Sequence, residues 1–292
     1  LAKYGVTRTL GAPRSIYAVE EDTTAGYLQL DWKGEFLGRP VRGNTGLRGY
    51  ETELTSSGVL AVKGVNTPTV AKKTYSGVLP SLNAVMEVSD RFQIRLAAAQ
   101  NINRPALGAY AMNGTVSVDG TTVTVSTGNP NLEPYTSDEF DLAAEWYFGG
   151  VGMLTAGLFH KNIDGLIASQ TTTNVSYAST GLAEGIYPGV TATTNVASYT
   201  RQVNLRNAKL TGIELSAQSD FFFLPGVLKN MGAVANLTLI DSKTINLVNG
   251  KNQETDIFGL SDVNANATLY YETAKYGGRI SANYRSDYLI DS

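Results

Sequence analysis

Cysteine is absent from the 292-residue chain, and histidine occurs once, as His160. The first absence excludes disulfide frameworks and thiolate metal sites. The second leaves imidazole-based triads almost no way to be built. Charge is also sparse, with Asp, Glu, Lys and Arg at 17%, against about 25% in an ordinary soluble protein. The net charge is −3 and no long basic run occurs, so the clustered cations that nucleic acid requires are missing. No apolar run reaches the roughly 18 residues of a membrane-crossing helix. Leu1 opens onto mixed polar sequence without a signal-peptide pattern, so any targeting segment is expected outside this sequence. No Asp-rich calcium loop is apparent, and neither a metal nor a cofactor is expected. What the chain does have is 30 Gly and 16 Tyr among frequent Thr and Asn, a composition rich in turns and strands.

The arrangement of these residues points to a membrane-crossing sheet. A strand with lipid on one side and a wet lumen on the other must alternate apolar and polar side chains. Along Glu139–Phe148, Phe140, Leu142, Ala144, Trp146 and Phe148 share one face, opposite Glu139, Asp141, Ala143, Glu145 and Tyr147. Phe92, Ile94, Leu96 and Ala98 oppose Arg91, Gln93 and Arg95. Ala265, Ala267, Leu269 and Tyr271 oppose Asn264, Asn266, Thr268 and Tyr270, while Ile280, Ala282 and Tyr284 oppose Arg279, Ser281, Asn283 and Arg285. A soluble β-sandwich alternates too. Two details favour the membrane: full charges recur on the polar face, and aromatics gather near strand ends (Trp32, Trp146, Phe148, Phe221, Tyr271), as interfacial girdles require.

The pattern predicts roughly ten strands, over 17–33, 39–55, 75–88, 91–103, 135–148, 151–169, 207–219, 231–243, 258–273 and 278–290. Strand 39–55 is the weakest, because Gly43, Gly46 and Gly49 interrupt it. Those glycines fit barrel curvature better than a phosphate cradle, since no helix pattern follows. Long connections are expected at 56–74, 104–134, 170–206 and 244–257, alternating with short ones such as Ser89–Asp90 and Gly149–Gly150. Outer-membrane barrels have long extracellular loops and short periplasmic turns, so the long connections are assigned outward. The fold class expected is all-β, an antiparallel transmembrane barrel.

Several segments, in order, resemble the barrel of proteobacterial TonB-dependent outer-membrane receptors. The clearest is Thr127-Gly128-Asn129-Pro130-Asn131-Leu132-Glu133-Pro134, followed by Glu145-Trp146-Tyr147-Phe148. Gly43-Asn44-Thr45-Gly46-Leu47-Arg48, Leu79-Pro80-Ser81-Leu82-Asn83, Asn103-Arg104-Pro105, Phe159-His160-Lys161-Asn162-Ile163, Leu210-Thr211-Gly212-Ile213-Glu214-Leu215 and Tyr284-Arg285-Ser286-Asp287-Tyr288-Leu289 also match. The resemblance implies a barrel of about 22 strands filled by an N-terminal plug. Residues 1–292 would then be an internal part of that barrel, lacking the plug, the TonB box and the C-terminal strands.

The same resemblance implies a non-enzymatic receptor that imports a scarce nutrient with energy delivered by TonB through the missing plug. The ligand expected is a carbohydrate, a ferric siderophore or a similar small molecule. Membrane lipid and lipopolysaccharide are the other expected partners. Rival readings are a passive outer-membrane porin or diffusion channel, a barrel enzyme and a soluble sandwich. Tyr110, Tyr177, Tyr187, Tyr199 and Arg201 lie in or beside the two longest connections. They are candidates for substrate contact, with loop self-packing as the alternative. The inward-phased Arg91, Arg95, Glu139, Asp141, Glu145, Glu214, Arg279 and Arg285 are candidates for contact with the plug or for guiding substrate. His160 is in phase with Leu154, Ala156 and Leu158, which fits an interfacial role rather than a general base.

Overall fold

The computed structural model describes residues 17–62, 65–111, 114–182, 184–185, 187–248 and 251–290. Among these residues thirteen strands form one sheet. They are β1 (Tyr17–Phe36), β2 (Arg39–Val62), β3 (Val65–Ser89), β4 (Phe92–Asn103), β5 (Gly114–Asp119), β6 (Thr122–Thr127), β7 (Tyr135–Phe148), β8 (Gly152–Ser176), β9 (Asn195–Asp220), β10 (Met231–Val248), β11 (Lys251–Thr255), β12 (Val263–Glu272) and β13 (Gly277–Arg285). Ten of them run in the order β1-β2-β3-β4-β7-β8-β9-β10-β12-β13, each antiparallel to its neighbours. Among the described residues β1 and β13 pair on one side only, so the sheet is an open arc.

The register turns the alternation of each strand into two continuous surfaces. One row reads Trp32, Gly43, Ala84, Leu96, Leu142, Leu158, Ile213, Leu239 and Val263, across nine strands without a polar residue. The adjacent row, on the opposite face, reads Lys33, Arg42, Val85, Arg95, Ala143, Gly157, Glu214, Thr238, Asn264 and Arg285. Leu158 is 51% exposed and Ile213 and Leu239 are 40% exposed. An apolar face this wide exceeds the few hundred Å² tolerated on a soluble monomer. It therefore faces lipid, and the charged face points inward. His160 lies on the lipid side between Phe140 and Thr211, with Nδ1 2.8 Å from Thr211 Oγ1. Trp32, Phe92, Trp146, Phe148 and Tyr271 all lie towards the short-turn rim, and the rings of Trp146 and Phe148 stand 4.9 Å apart.

The strands outrun their expected limits. The described residues of the segment 56–74, expected as a loop, are strand: β2 and β3 pair from Val41↔Met86 to Val62↔Val65. Ser56, Ser57 and Gly58 suggest a turn, but Thr55, Val59, Thr69, Val70 and Thr74 carry β-branched side chains that favour extension. Likewise β8 continues to Ser176 and β9 starts at Asn195, so the connection expected at 170–206 shrinks to 177–194. The connection 104–134 contains the β5–β6 hairpin, and 244–257 contains the end of β10 and β11. The last two strands are shorter than expected. Arg285 donates to Ser261 Oγ (2.7 Å) and to the Gly259 carbonyl, which draws 259–261 out of the ladder.

Gly43, one of the glycines that weaken the pattern, has a structural role that it shares with glycines of other strands. Trp32 faces Gly43, Tyr50 faces Gly77, Phe159 faces Gly212 and Tyr270 faces Gly232 across neighbouring strands. Each ring lies over the bare backbone of its partner. A Cβ on Gly212 would stand 2.3 Å from Phe159 Cζ and 2.6 Å from the Leu239 carbonyl oxygen. Gly49, by contrast, opens onto empty space. Gly212→Val is expected to destabilise the barrel by about 2 kcal/mol through overpacking. Gly49→Val should change stability by less than about 0.5 kcal/mol. Urea unfolding midpoints of the two variants in detergent check this.

Candidate functional site

The site begins where the β4–β7 ladder stops. Its last pair is Asn103↔Tyr135, and proline lies just beyond on both arms, at Pro105 and Pro134. Proline has no N–H to donate, and here one stands on each arm at the same level. The connection therefore leaves the wall and folds onto the inward face as a strap. Its outgoing arm, Arg104–Ala111, includes a 3-10 turn at Leu107–Tyr110. Its return arm, Gly128–Pro134, follows the β5–β6 hairpin.

The two arms are stitched to each other and to the wall. Asn129 N–H donates to the Ala109 carbonyl at 2.7 Å. Gly128 must lack a Cβ, because one would stand 2.4 Å from the Ala111 carbonyl oxygen. Tyr110 and Leu132, both fully buried, pack with Leu54 of β2, and Val19 of β1 and Ile167 of β8 border the cluster. Ser56 Oγ donates to the Tyr110 carbonyl at 2.8 Å. Lys73 of β3 donates to the carbonyls of Asn131 (2.8 Å) and Leu132 (3.3 Å) and pairs with Glu133. Asn204 of β9 accepts from Glu133 N–H (2.8 Å) and donates to the Glu133 carbonyl (2.7 Å), while Asn129 donates to the Gln202 carbonyl (2.9 Å). Arg104, at the base of the strap, donates to the Tyr75 hydroxyl (3.1 Å), which donates to Glu21 (3.2 Å).

The hairpin reaches the far edge of β9. There β6 pairs in parallel with β9, from Thr124↔Ser198 to Thr127↔Arg201, along a stretch that β10 leaves free. Val116, Val123 and Val125 form a second small core with Tyr177, Val190, Val196 and Tyr199. A cleft of about 260 Å³ remains between the strap and the β8–β9 connection. Thr127, Asn129, Asn131, Thr180, Tyr199 and Arg201 line it.

Of the five substrate-contact candidates, the structure brings Tyr199 and Arg201 together at this cleft, with the guanidinium 5.5 Å from the ring centre. Arg201 is exposed and has no carboxylate in ion-pair reach among the described residues. Tyr199 is mostly buried and its hydroxyl donates to the Thr180 carbonyl at 3.1 Å. Tyr110 and Tyr177 are wholly buried, and Tyr187 packs against the second core. These three hold the loops together. Burial pushes the Tyr110 and Tyr177 phenols above the usual tyrosine range.

The inward charges divide into two groups. Arg95 and Glu145 pair at 2.6 Å, with Gln93 and Tyr147 also donating to Glu145. Glu139 pairs with Lys161 at 3.2 Å. Arg285 is held by Ser261, the Gly259 carbonyl and the Tyr288 ring. Arg91, Asp141, Glu214 and Arg279 have no ion-pair partner among the described residues. Sequence reasoning missed Lys73, Lys161, Arg104 and Asn204. Lys161 lies one residue from His160 and, by phase, on the inward face, so its pairing with Glu139 was open to inference. The role of Asn204 had no local signal, because its partners Gly165 and Glu133 are 39 and 71 residues away in the chain.

A family model described as TonB dependent receptor-like, beta-barrel, matches residues 3–292. No curated protein matches. Among solved structures, a ferric enterobactin receptor mutant (PfeA) from Pseudomonas aeruginosa aligns with 12% identity and a TM-score of 0.54, over 92% of this chain and 41% of that one. The Serratia marcescens hemophore receptor HasR, a double mutant in complex with its hemophore HasA and heme, aligns with 13% identity and a TM-score of 0.58, over 91% and 44%. The siderophore receptor PiuA from Acinetobacter baumannii aligns with 14% identity and a TM-score of 0.59, over 92% and 34%. At such identities the likeness concerns the fold. The chain spans less than half the length of each of these structures.

The ion-paired wall makes a stability prediction. Arg95→Met leaves Glu145, with only 15% of its side chain exposed, without its cation, at an expected cost of about 1–2 kcal/mol. The double variant R95M/E145Q should recover at least about half of that loss, measured as unfolding midpoints in detergent.

Proposed function

Because the chain belongs to the TonB-dependent receptor β-barrel family, we propose that the whole protein captures a scarce nutrient at the cell surface and imports it with energy relayed by TonB. The barrel resides in the bacterial outer membrane, and the family is one of receptors rather than enzymes. The observation that carries the reading is the family match along nearly the whole chain, joined to a sheet whose apolar face requires lipid.

In this reading residues 1–292 are an internal part of a larger barrel. The single-sided pairing of β1 and β13 supports this, since lipid does not tolerate an open sheet edge. The rim that carries the strap and the β8–β9 connection faces outward, as long loops do in such barrels. The ligand is small, of the carbohydrate or ferric siderophore kind, and the cleft at Arg201 and Tyr199 is its contact site. Arg91, Asp141, Glu214 and Arg279 are the inward charges available to a plug, because the remaining inward candidates are satisfied within the wall. Lipid and lipopolysaccharide surround the barrel, and TonB acts through the plug. A passive porin has no observation in its favour, and the inward-folded strap narrows the path that one would need.

The test uses the full-length protein in Gram-negative cells, with radiolabelled ferric siderophores and oligosaccharides as probes. Uptake of one class is expected to collapse when TonB is deleted or the proton gradient is dissipated. Uptake that survives both treatments refutes the proposal in favour of passive diffusion. Arg201→Ala should weaken binding of the transported probe about tenfold, the loss of one charged hydrogen bond, while leaving the unfolding midpoint unchanged.

A further inference from the structure

We propose that the connection between β9 and β10, residues 221–230, is a membrane anchor that inserts its phenylalanines into the phospholipid leaflet at the short-turn rim. Its length is the first sign. A hairpin closes with about two to five residues, and the other short connections of this rim, 37–38, 90–91, 149–151 and 273–276, stay within that range. The β9–β10 connection instead reads Phe221-Phe222-Phe223-Leu224-Pro225-Gly226-Val227-Leu228-Lys229-Asn230, with Lys229 as its one charge. It is folded. Phe221 N–H donates to the Met231 carbonyl and Leu224 N–H to the Phe221 carbonyl, both at 2.8 Å, and Gly226–Asn230 form a 3-10 turn.

This folded knob leaves its apolar side chains uncovered among the described residues. Phe222 is 58% exposed, Phe223 65% and Val227 68%. The rings nevertheless hold one another, with the centroids of Phe222 and Phe223 5.7 Å apart and those of Phe221 and Phe223 6.0 Å apart. Phe222 also lies over the bare backbone of Gly149 in the neighbouring β7–β8 turn. The knob is therefore fixed along the rim with its apolar surface presented outside the protein. Contiguous apolar surface of this kind is avoided in water and marks a contact with lipid or with another protein.

Its position identifies the occupant as lipid. Phe221 and Met231 continue the outward columns of β9 and β10, one step beyond the last ladder pair, Gly232↔Asp220. Between them and the polar pair Thr211↔Asp241 those columns are apolar but for Ser219. That interval is ten residues on each strand. At about 3.3 Å per residue and a tilt of about 40°, it rises about 25 Å along the membrane normal, the height of the apolar band of outer-membrane barrels, about 25 Å. The strands thus use up the hydrocarbon layer, and the knob falls in the headgroup layer beside it. Aromatic rings favour that layer, and the Lys229 ammonium suits lipid phosphate. No carboxylate within 221–230 opposes it. The knob therefore extends the lipid-facing surface past the end of the ladder and fixes the height of this rim in the bilayer.

The experiment uses the full-length receptor reconstituted in vesicles of phosphatidylethanolamine and phosphatidylglycerol. It needs neither ligand nor TonB, so its outcome is separate from that of the proposed transport. Residues 1–292 hold no native cysteine, and any elsewhere is replaced by serine. A nitroxide is attached at Phe223→Cys or at Val227→Cys. Both sites are exposed, so the fold is kept, and Phe222 stays in place on Gly149. Asp90→Cys, in a polar turn of the same rim, and Leu215→Cys, on the lipid face, are the references. Electron paramagnetic resonance then compares collisions with oxygen, which concentrates in lipid, and with a water-soluble nickel chelate. The oxygen-to-nickel ratio at 223 and 227 is expected to exceed that at 90 severalfold and to lie below that at 215. A ratio equal to that at 90 places the knob in water and overturns the anchor. Low collision rates with both reagents mean that protein covers it, the plug or a second copy, and overturn the anchor too.

Discussion

Backbone hydrogen bonding in the absence of water governs this molecule. Within the hydrocarbon layer every N–H and C=O needs a partner from the protein, and only helices and closed sheets supply one. A chain with no helix-length apolar run must use the sheet. The sheet in turn requires strict register, because a slip of one residue would exchange the lipid and lumenal faces. The unbroken apolar row from Trp32 to Val263 shows the register held across nine strands. The glycines serve the same constraint. Each bare backbone under Trp32, Tyr50, Phe159 or Tyr270 is covered by a ring, which packs the wall without disturbing its hydrogen bonds.

The same constraint explains why two neighbouring connections differ. Between β2 and β3 the pairing extends well past its expected end, although single prolines, Pro68 and Pro80, lie within β3. Between β4 and β7 two prolines remove donors at one level, and the chain must find other partners. It finds them on the inward wall through Asn204, Lys73 and Ser56, and at the free edge of β9 through β6. A local loss of backbone donors thus gives rise to the strap and to one side of the cleft.

Much of this was legible in the sequence, for identifiable reasons. Period-two alternation reports which face a residue occupies, and every inward and outward assignment along 139–148, 91–98 and 263–285 agrees with the register. Proline is less decisive: Pro105 and Pro134 stand at strand boundaries, whereas Pro68 and Pro80 lie inside β3. Loop chemistry was less informative. Ser56-Ser57-Gly58 suggests a turn, yet pairing with 69–71 holds it in strand. The tyrosines show a deeper limit. Tyr110, Tyr177 and Tyr199 fall where the sequence suggests connections and aromatics suggest ligand contact, but burial depends on which distant segment folds over them. No local pattern carries that information.

The inward surface, finally, is less charged in effect than its composition suggests. Arg95, Glu145, Glu139 and Lys161 neutralise one another within the wall, and Lys73 with Glu133 does so at the strap. Partly buried pairs of this kind offer a passing ligand little, since engaging one member means breaking its existing bond. Under the proposed function, recognition would rest on groups that the fold leaves unsatisfied. On the rim of the long connections the exposed guanidinium of Arg201 is such a group, seated against Tyr199 at the mouth of a cleft lined by hydroxyls and amides. A ligand suited to it would bring one acceptor for the cation and several small polar groups for Thr127, Asn129 and Thr180.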